Sequence, residues 1–186
     1  MINWPPDVSD KLPPRVQPYV KALAFWCDVY SLDQFLLAAI IDRETNWGTS
    51  SDLDKPGSGG RGDCESGVWY GHGLGQIDSR THASMIAMIL GDGTPAWANA
   101  FFNIGMAASI LAHAVAALGG DLYAATAAYN AGEGAARKVL AALPPDAPAD
   151  QRRLALDSIT AAPTHDYVTW VWARHDEFAG IGVVAS

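Results

Sequence analysis

Glu44 stands near the end of the most apolar run in the chain, within LDQFLLAAIIDRETNW. A carboxylic acid beside apolar side chains has its charged form disfavoured, so the protonated form persists toward neutral pH. A protonated glutamate can give its proton to a leaving oxygen, as cleavage of a glycosidic bond requires, and such general acid catalysis contributes about 10²–10⁴-fold. Downstream lies GHGLGQIDSRTHA, Gly71 to Ala83. Its Gly73 and Gly75 lack side chains where a backbone could lie directly against a ligand. Gln76 offers a donor and an acceptor to the amide and hydroxyl groups of a sugar. Asp78 opens the following segment, either as a helix cap or as a second carboxylate facing a cleft. A third stretch, AATAAYNAGEG from Ala124 to Gly134, carries Tyr129 and Asn130 to a helix end where Gly132 lets the chain reverse. Taken singly, each has a plain structural explanation: a solvated glutamate, a tight turn, an N-cap, a C-cap.

Helices must position these residues. Val16, Val20, Leu23, Ala24 and Cys27 recur at helical spacing over residues 14–29. Ser31 with Gln34 reads as a capping box opening the helix that carries Glu44. That helix is apolar on every side from Phe35 to Ile41 and is expected to be buried. Residues 48–75 hold nine of the 18 glycines, too long a stretch for an ordinary connection, and read as a functional loop or a small hairpin. Further helices are expected at about 80–90, 95–118, 133–142 and 165–178, with Asp121 capping a short one through Tyr129. The GIGVVAS tail is expected to fray. Neither a repeat nor a second domain is visible in the 186 residues, so one mainly α-helical domain is expected over 1–186.

Composition narrows the function. A net charge of −8 disfavours nucleic acid as a partner and simple capture by an anionic membrane or wall, so a bound polymer must be held by shape and hydrogen bonds. From Gly93 to Gly120 there is no charged residue, long enough to imitate a membrane span. Asn99, Asn103, Ser109 and His113 fall on one stripe at about 100° per residue, which suits the centre of a helical bundle better, and no membrane insertion is expected. Cys27 and Cys64 are compatible with one disulfide or with two thiols.

Glu44 in IIDRETNWG, then GHGLGQIDSRTHA, then ATAAYNAGEG, in this order, resemble the three motifs of goose-type lysozymes and soluble lytic transglycosylases. The resemblance spans about residues 31–179 and leaves an N-terminal helical extension of about 14–30 unexplained. It implies a lysozyme-like helical fold with the Gly-rich loop beside a cleft, no cofactor, no metal, and a monomer. The implied substrate is peptidoglycan, cut at the β-1,4 bond between N-acetylmuramic acid and N-acetylglucosamine. By residue, the resemblance makes Glu44 the catalytic acid and Asp78 one of the carboxylates that position water. Asp63, in GRGDCESG, is matched to the other, with Glu65 competing for that place. Gln76, His82, Tyr129, Asn130, Tyr167 in THDYVTW, and Thr45 are matched to substrate-binding positions. Two departures stand out: Thr45 where serine is usual, and Gly75 where methionine is usual.

Two reactions fit these residues. An inverting hydrolase needs a second carboxylate about 6.5–9.5 Å from the acid, with room for water. A lytic transglycosylase needs no water, because the acid, having donated its proton, takes one from the sugar's own 6-hydroxyl and closes a 1,6-anhydro ring. A chitinase of the same family and a non-catalytic glycan-binding or virion scaffold protein are the alternatives. No export signal is read in MINWPPDVSDKLPP, so the expectation is a protein made in the cytoplasm and delivered to the wall as a phage endolysin, virion or secreted lysin. Asp52, Asp54 and Gly57 imitate part of a calcium loop, but Pro56 occupies a ligand position. Arg61-Gly62-Asp63 is too short to signal adhesion, and Trp47 and Trp69 are candidates for stacking on a sugar ring.

Overall fold

The structure is a computed structural model that describes residues 12–48, 61–160 and 166–180, the side chains of 61–64 lying outside that set. Eight helices and one small sheet are described: α1 (Val20–Tyr30), α2 (Gln34–Thr45), β1 (Arg61–Glu65), β2 (Val68–His72), β3 (Ile77–Asp78), α3 (Ala83–Ile86), α4 (Ala100–Ala117), α5 (Leu122–Ala131), α6 (Glu133–Ala141), α7 (Ala149–Asp157) and α8 (Tyr167–Ala179). Helix α2 is the core element. Leu36, Leu37, Ile40 and Ile41 are at most 1 % exposed, and burying each such side chain contributes about 1.5–3 kcal/mol. Helix α8 packs along α2, while α1 and α5 flank α4.

The start of α2 differs from the capping-box expectation. Ser31 takes a left-handed conformation that ends α1, and Asp33 caps α2 by accepting from the amides of Phe35 and Leu36 at 2.7 and 3.1 Å. One residue cannot both end α1 and cap α2, and Ser31, in the left-handed region, ends α1. The expected N-terminal helix is also shorter. Residues 14–16 form a turn and Gln17–Tyr19 a short 3-10 helix, yet Leu12 and Val16 are buried, and Arg15 pairs its Nε with Asp42 Oδ1 at 2.9 Å. Arg174 of α8 reaches the same carboxylate at 3.1 Å. Asp42 is 4 % exposed, and two guanidinium groups compensate its lost hydration. The extension is thereby docked on the helix that carries Glu44.

The Gly-rich region folds as an antiparallel sheet in the order β1-β2-β3, with Cys64 opposite Trp69 and Gly71 opposite Asp78. The helix expected at about 80–90 is reduced to α3. Beyond it Ile89 pairs with Pro95 and Leu90 N donates to Thr94 O at 2.8 Å, because the GDG turn folds the chain back on itself. Helix α4 is preceded by a short helical turn at Ala96–Ala98 and capped by Asn99. It is long and apolar enough to cross a membrane by length and composition, but it is the helix against which α1 and α5 both pack. Gly105 permits that approach: a Cβ there would lie 2.5 Å from the Trp26 ring. Asp121 caps α5 as expected, through the amide of Ala124. Helix α7 carries no apolar stripe strong enough to be read in advance, since of its nine residues only Leu156 and Asp157 are buried. Cys27 is a free, buried thiol, and burial pushes its pKa up to about 12.

Candidate active site

The end of α2 turns sharply after Thr45, with Asn46 and Trp47 both in the left-handed region. Glu44 sits on the last turn, half-buried, within reach of solvent. The Tyr167 hydroxyl, from the first residue of α8, donates to Glu44 Oε1. Burial raises the Tyr167 phenol well above its ordinary pKa of 10.0, and the nearby Glu44 charge adds to the shift, so this ring stays protonated at neutral pH. Arg43 lies over the Tyr167 and Trp170 rings at 5.9 and 5.1 Å and pairs with Asp166 at 2.9 Å. The acid is thus gripped between two helices.

The Gly-Leu-Gly run has a different purpose from the one its sequence suggests. A Cβ on Gly73 would lie 2.1 Å from Asn103 Nδ2. Asn103, fully buried on α4, donates to His72 O at 3.1 Å and accepts from Gly75 N at 2.8 Å. A Cβ on Gly75 would lie 2.8 Å from Ala107 Cβ and 2.9 Å from the Tyr129 hydroxyl, which donates to Gly75 O at 2.8 Å. The room left by the two glycines is therefore filled by Asn103 and Tyr129, not by a ligand. A methionine at position 75 would meet Ala107 and the Tyr129 hydroxyl.

Thr45 is 1 % exposed, and its hydroxyl donates to Leu74 O at 2.9 Å. It joins α2 to the loop from beneath and does not face the cleft as the resemblance implied. Trp47 is likewise 1 % exposed and stacked on Tyr19, so it is core and not a sugar platform. Gln76, at φ 48°, turns its amide nitrogen back onto Gly73 O at 2.9 Å. Trp69 is half-buried on β2.

A cleft of about 580 Å³ opens between the β3–α3 segment on one wall and α4, α5 and the start of α6 on the other. Gln76, Asp78, His82, Tyr129 and Asn130 all line it. Glu44 is not itself a lining residue. Tyr129 is the link, since its pKa is raised well above 10.0 by burial and then by the charge of Glu44. Asp78 does not stand free. Arg80 Nε lies 3.0 Å from both carboxylate oxygens, Arg80 Nη2 is 2.5 Å from Oδ2, and the Arg80 amide donates to Oδ1 at 2.7 Å. These bonds hold its pKa below the usual carboxylate value. Arg80 in turn lies over the Tyr70 ring at 4.4 Å. Burial lowers the His82 pKa, Asp78 opposes that shift, and His113 on the facing wall reinforces it. His113 is 3.6 Å from Glu133 Oε2.

Of the expected site residues, the structure brings Glu44 and Tyr167 into direct contact and gathers Gln76, Asp78, His82, Tyr129 and Asn130 along one cleft. Asp63 belongs to β1 but its side chain lies outside the described residues, as do the calcium-like Asp52, Asp54 and Gly57. Glu65 is exposed at the end of β1, opposite Val68. No group of three or more potential metal ligands occurs among the described residues. Asn103, Arg80 and Arg43 were not singled out by their chemistry. The one available signal was Asn103's place in the polar stripe of α4.

The family described as the transglycosylase SLT domain matches residues 22–144. The match takes in Glu44, the Gly73–Asp78 loop, Tyr129 and Asn130 but ends before Tyr167. No curated protein matches the chain. Among solved structures, the chain is similar to the lytic transglycosylase Slt of Pseudomonas aeruginosa in a form inactivated by a glutamate-to-glutamine change. The TM-score is 0.61 at 21 % identity, over 88 % of this chain and 24 % of that one, so the chain spans about a quarter of that structure's length. At this identity the likeness is one of fold.

Proposed function

The chain belongs to the transglycosylase SLT domain family, and from that premise we propose that it cuts the β-1,4 bond between N-acetylmuramic acid and N-acetylglucosamine in peptidoglycan as a lytic transglycosylase. Glu44 is the acid and then the base. It protonates the bridging oxygen as the bond to the muramyl anomeric carbon breaks. The resulting carboxylate removes the proton from the muramyl 6-hydroxyl, whose oxygen closes on the same carbon to give the 1,6-anhydro sugar. The proton that left Glu44 with the glucosamine hydroxyl is thus replaced by one from the substrate, and no water is consumed. Tyr167 holds the Glu44 carboxyl through its hydroxyl. Gln76, His82, Tyr129 and Asn130 offer polar groups to the glycan along the cleft. The glycan lies in the wall, which is the proposed place of action.

One observation favours this outcome over hydrolysis: the Asp78 carboxylate is locked on Arg80 through both oxygens. A carboxylate engaged in this way, with its pKa lowered, is a poor base for activating water. In the structurally similar Slt, a glutamate-to-glutamine change abolishes activity, and Glu44 is the glutamate proposed to hold that place here. The test is mass analysis of a digest of purified peptidoglycan, with chitin oligomers alongside. Anhydro-muramyl ends, one water lighter than reducing ends, are expected, and Glu44→Gln is expected to abolish them. Reducing ends would make the enzyme a hydrolase, cleavage of chitin alone would change the substrate, and full activity in Glu44→Gln would remove the assigned acid.

A further inference from the structure

Helix α8 is capped from a distance. The first amides of a helix lack intrahelical partners, and the residue at the α8 N-cap, Asp166, makes no capping bond with its side chain. Its carboxylate is drawn to Arg43 instead. The acceptor comes from the last residue of α7. Asp157 Oδ1 accepts from Val168 N at 2.6 Å and from Thr169 N at 3.2 Å, while Oδ2 accepts from the Thr169 hydroxyl at 2.5 Å. Asp157 is 3 % exposed, so these donors replace its hydration, and a negative charge at a helix N-terminus is favourable in itself.

Tyr167 is the residue immediately before the bound amides. It is 4 % exposed, and its ring has little room to compensate for a shift of its own backbone. We infer that Asp157 is a positioning residue for the acid: by fixing the first turn of α8 it delivers the Tyr167 hydroxyl to Glu44. The inference rests on Glu44 being the acid–base of the proposed reaction. A carboxylate at the end of one helix thereby sets the geometry of a carboxyl at the end of another, with Thr169 and Tyr167 as the physical connection.

Tyrosine labelled with carbon-13 at the ζ position reads the phenol directly. The protein has six tyrosines, and the Tyr167 signal is the one that Tyr167→Phe removes. Glu44→Gln shifts this signal by changing its hydrogen-bond acceptor. Asp157→Asn and Thr169→Val are expected to shift it as well, and Thr169→Ser, which keeps the hydroxyl, to leave it in place. On peptidoglycan, Asp157→Asn is expected to lower kcat about tenfold with KM changed by less than about twofold, and to lower it no further when Tyr167→Phe is already present. A folded Asp157→Asn or Thr169→Val protein whose Tyr167 signal stays at the wild-type position overturns the inference. So does a double variant in which the two losses multiply. If the wild type releases no anhydro product, the functional reading falls while the resonance still decides the positioning role. Should Asp157→Asn fail to fold, Thr169→Val carries the comparison, because it removes one hydroxyl and leaves the carboxylate in place.

Discussion

Replacing Asn103 with leucine tests what holds the Gly-rich loop in place. The two side chains branch alike at Cγ, but leucine is the larger, so some overpacking adds to the loss. What changes is that the buried amide of Gly75 loses the acceptor that now satisfies it at 2.8 Å, while the carbonyl of His72 loses a bond at 3.1 Å but keeps its place opposite Ile77 in the β2–β3 ladder. An orphaned buried backbone group costs about 1–3 kcal/mol, and a lost bond whose group keeps another partner about 0.5–1.5 kcal/mol. A total of about 3 kcal/mol is a large part of the roughly 5–15 kcal/mol that holds a typical domain together. For a chain of this size each kcal/mol lowers Tm by roughly 2–4 °C, which makes the expected fall about 6–12 °C. Thermal unfolding followed by circular dichroism measures it, and hydrogen exchange at the Gly75 amide localises it. Activity should fall with stability, because Gly75 O is also the acceptor for Tyr129. A Tm within about 3 °C of wild type, with the Gly75 amide still protected, would refute the argument that Asn103 carries the loop.

Three other outcomes can be checked alongside. Gly75→Ala places a Cβ 2.8 Å from Ala107 Cβ and 2.9 Å from the Tyr129 hydroxyl; overpacking of this kind costs about 1–3 kcal/mol, so both Tm and kcat should drop, and a variant equal to wild type in both would contradict the packing. His175 of α8 lies 3.4 Å from Asp33, the cap of α2, and 2.9 Å from Asp176; its pKa is raised, chiefly by the bond to Asp33, while that of Asp33 is lowered because the His175 and backbone bonds outweigh burial. The His175 contribution is therefore complete below its ordinary pKa of 6.5 and lost as pH rises through the raised value, and the Asp33 contribution is complete above 3.8 and lost as pH falls through the lowered one. Because Asp33 is partly exposed, the loss on going from about pH 6 to alkaline pH should be near 1 kcal/mol, or roughly 2–4 °C in Tm, and an equal loss in His175→Gln would assign it elsewhere. Cys27, with its pKa at about 12, should resist alkylation in the native protein near neutral pH and react on unfolding; peptide mapping after native labelling would expose the error if Cys27 were modified.

How much of this was legible in the sequence depended on whether a residue's partner was close in the chain. Helix α2 was readable because seven consecutive apolar residues leave no polar face, and burial follows from that alone. Asp121 and Asp33 both cap helices through amides two or three residues away. The first is legible as it stands, but Ser31 with Gln34 imitates a capping box two residues before the true cap, Asp33. Helix α7 was missed because it buries so few side chains that no stripe appears. Gly73 and Gly75 are only partly legible for a different reason: Gly75 does line the cleft, but the Cβ positions of both are filled by protein. A glycine announces that space is needed, and only the fold reveals whether a ligand, an asparagine from α4 or a tyrosine from α5 takes that space. Pairings such as Glu44 with Tyr167, separated by 123 residues, leave no local pattern at all.

From the sequence alone, apolar neighbours are what would keep a proton on the Glu44 carboxyl. The structure supplies a more specific device. A catalyst that first donates and then accepts must be held equally well in both states, and apolar walls favour only the neutral one. A phenol hydroxyl can donate to a carboxyl oxygen whether or not the group carries its proton. Tyr167 suits this because burial and the Glu44 charge keep its own pKa well above 10.0, so the phenol does not compete for the proton in transit. Tyr129, raised for the same two causes, gives its hydrogen bond to the Gly75 carbonyl instead and so ties α5 to the loop. In the proposed reaction, with Asp78 paired with Arg80, Glu44 is assigned both proton transfers, and a second transfer through the same group is what closing the anhydro ring requires.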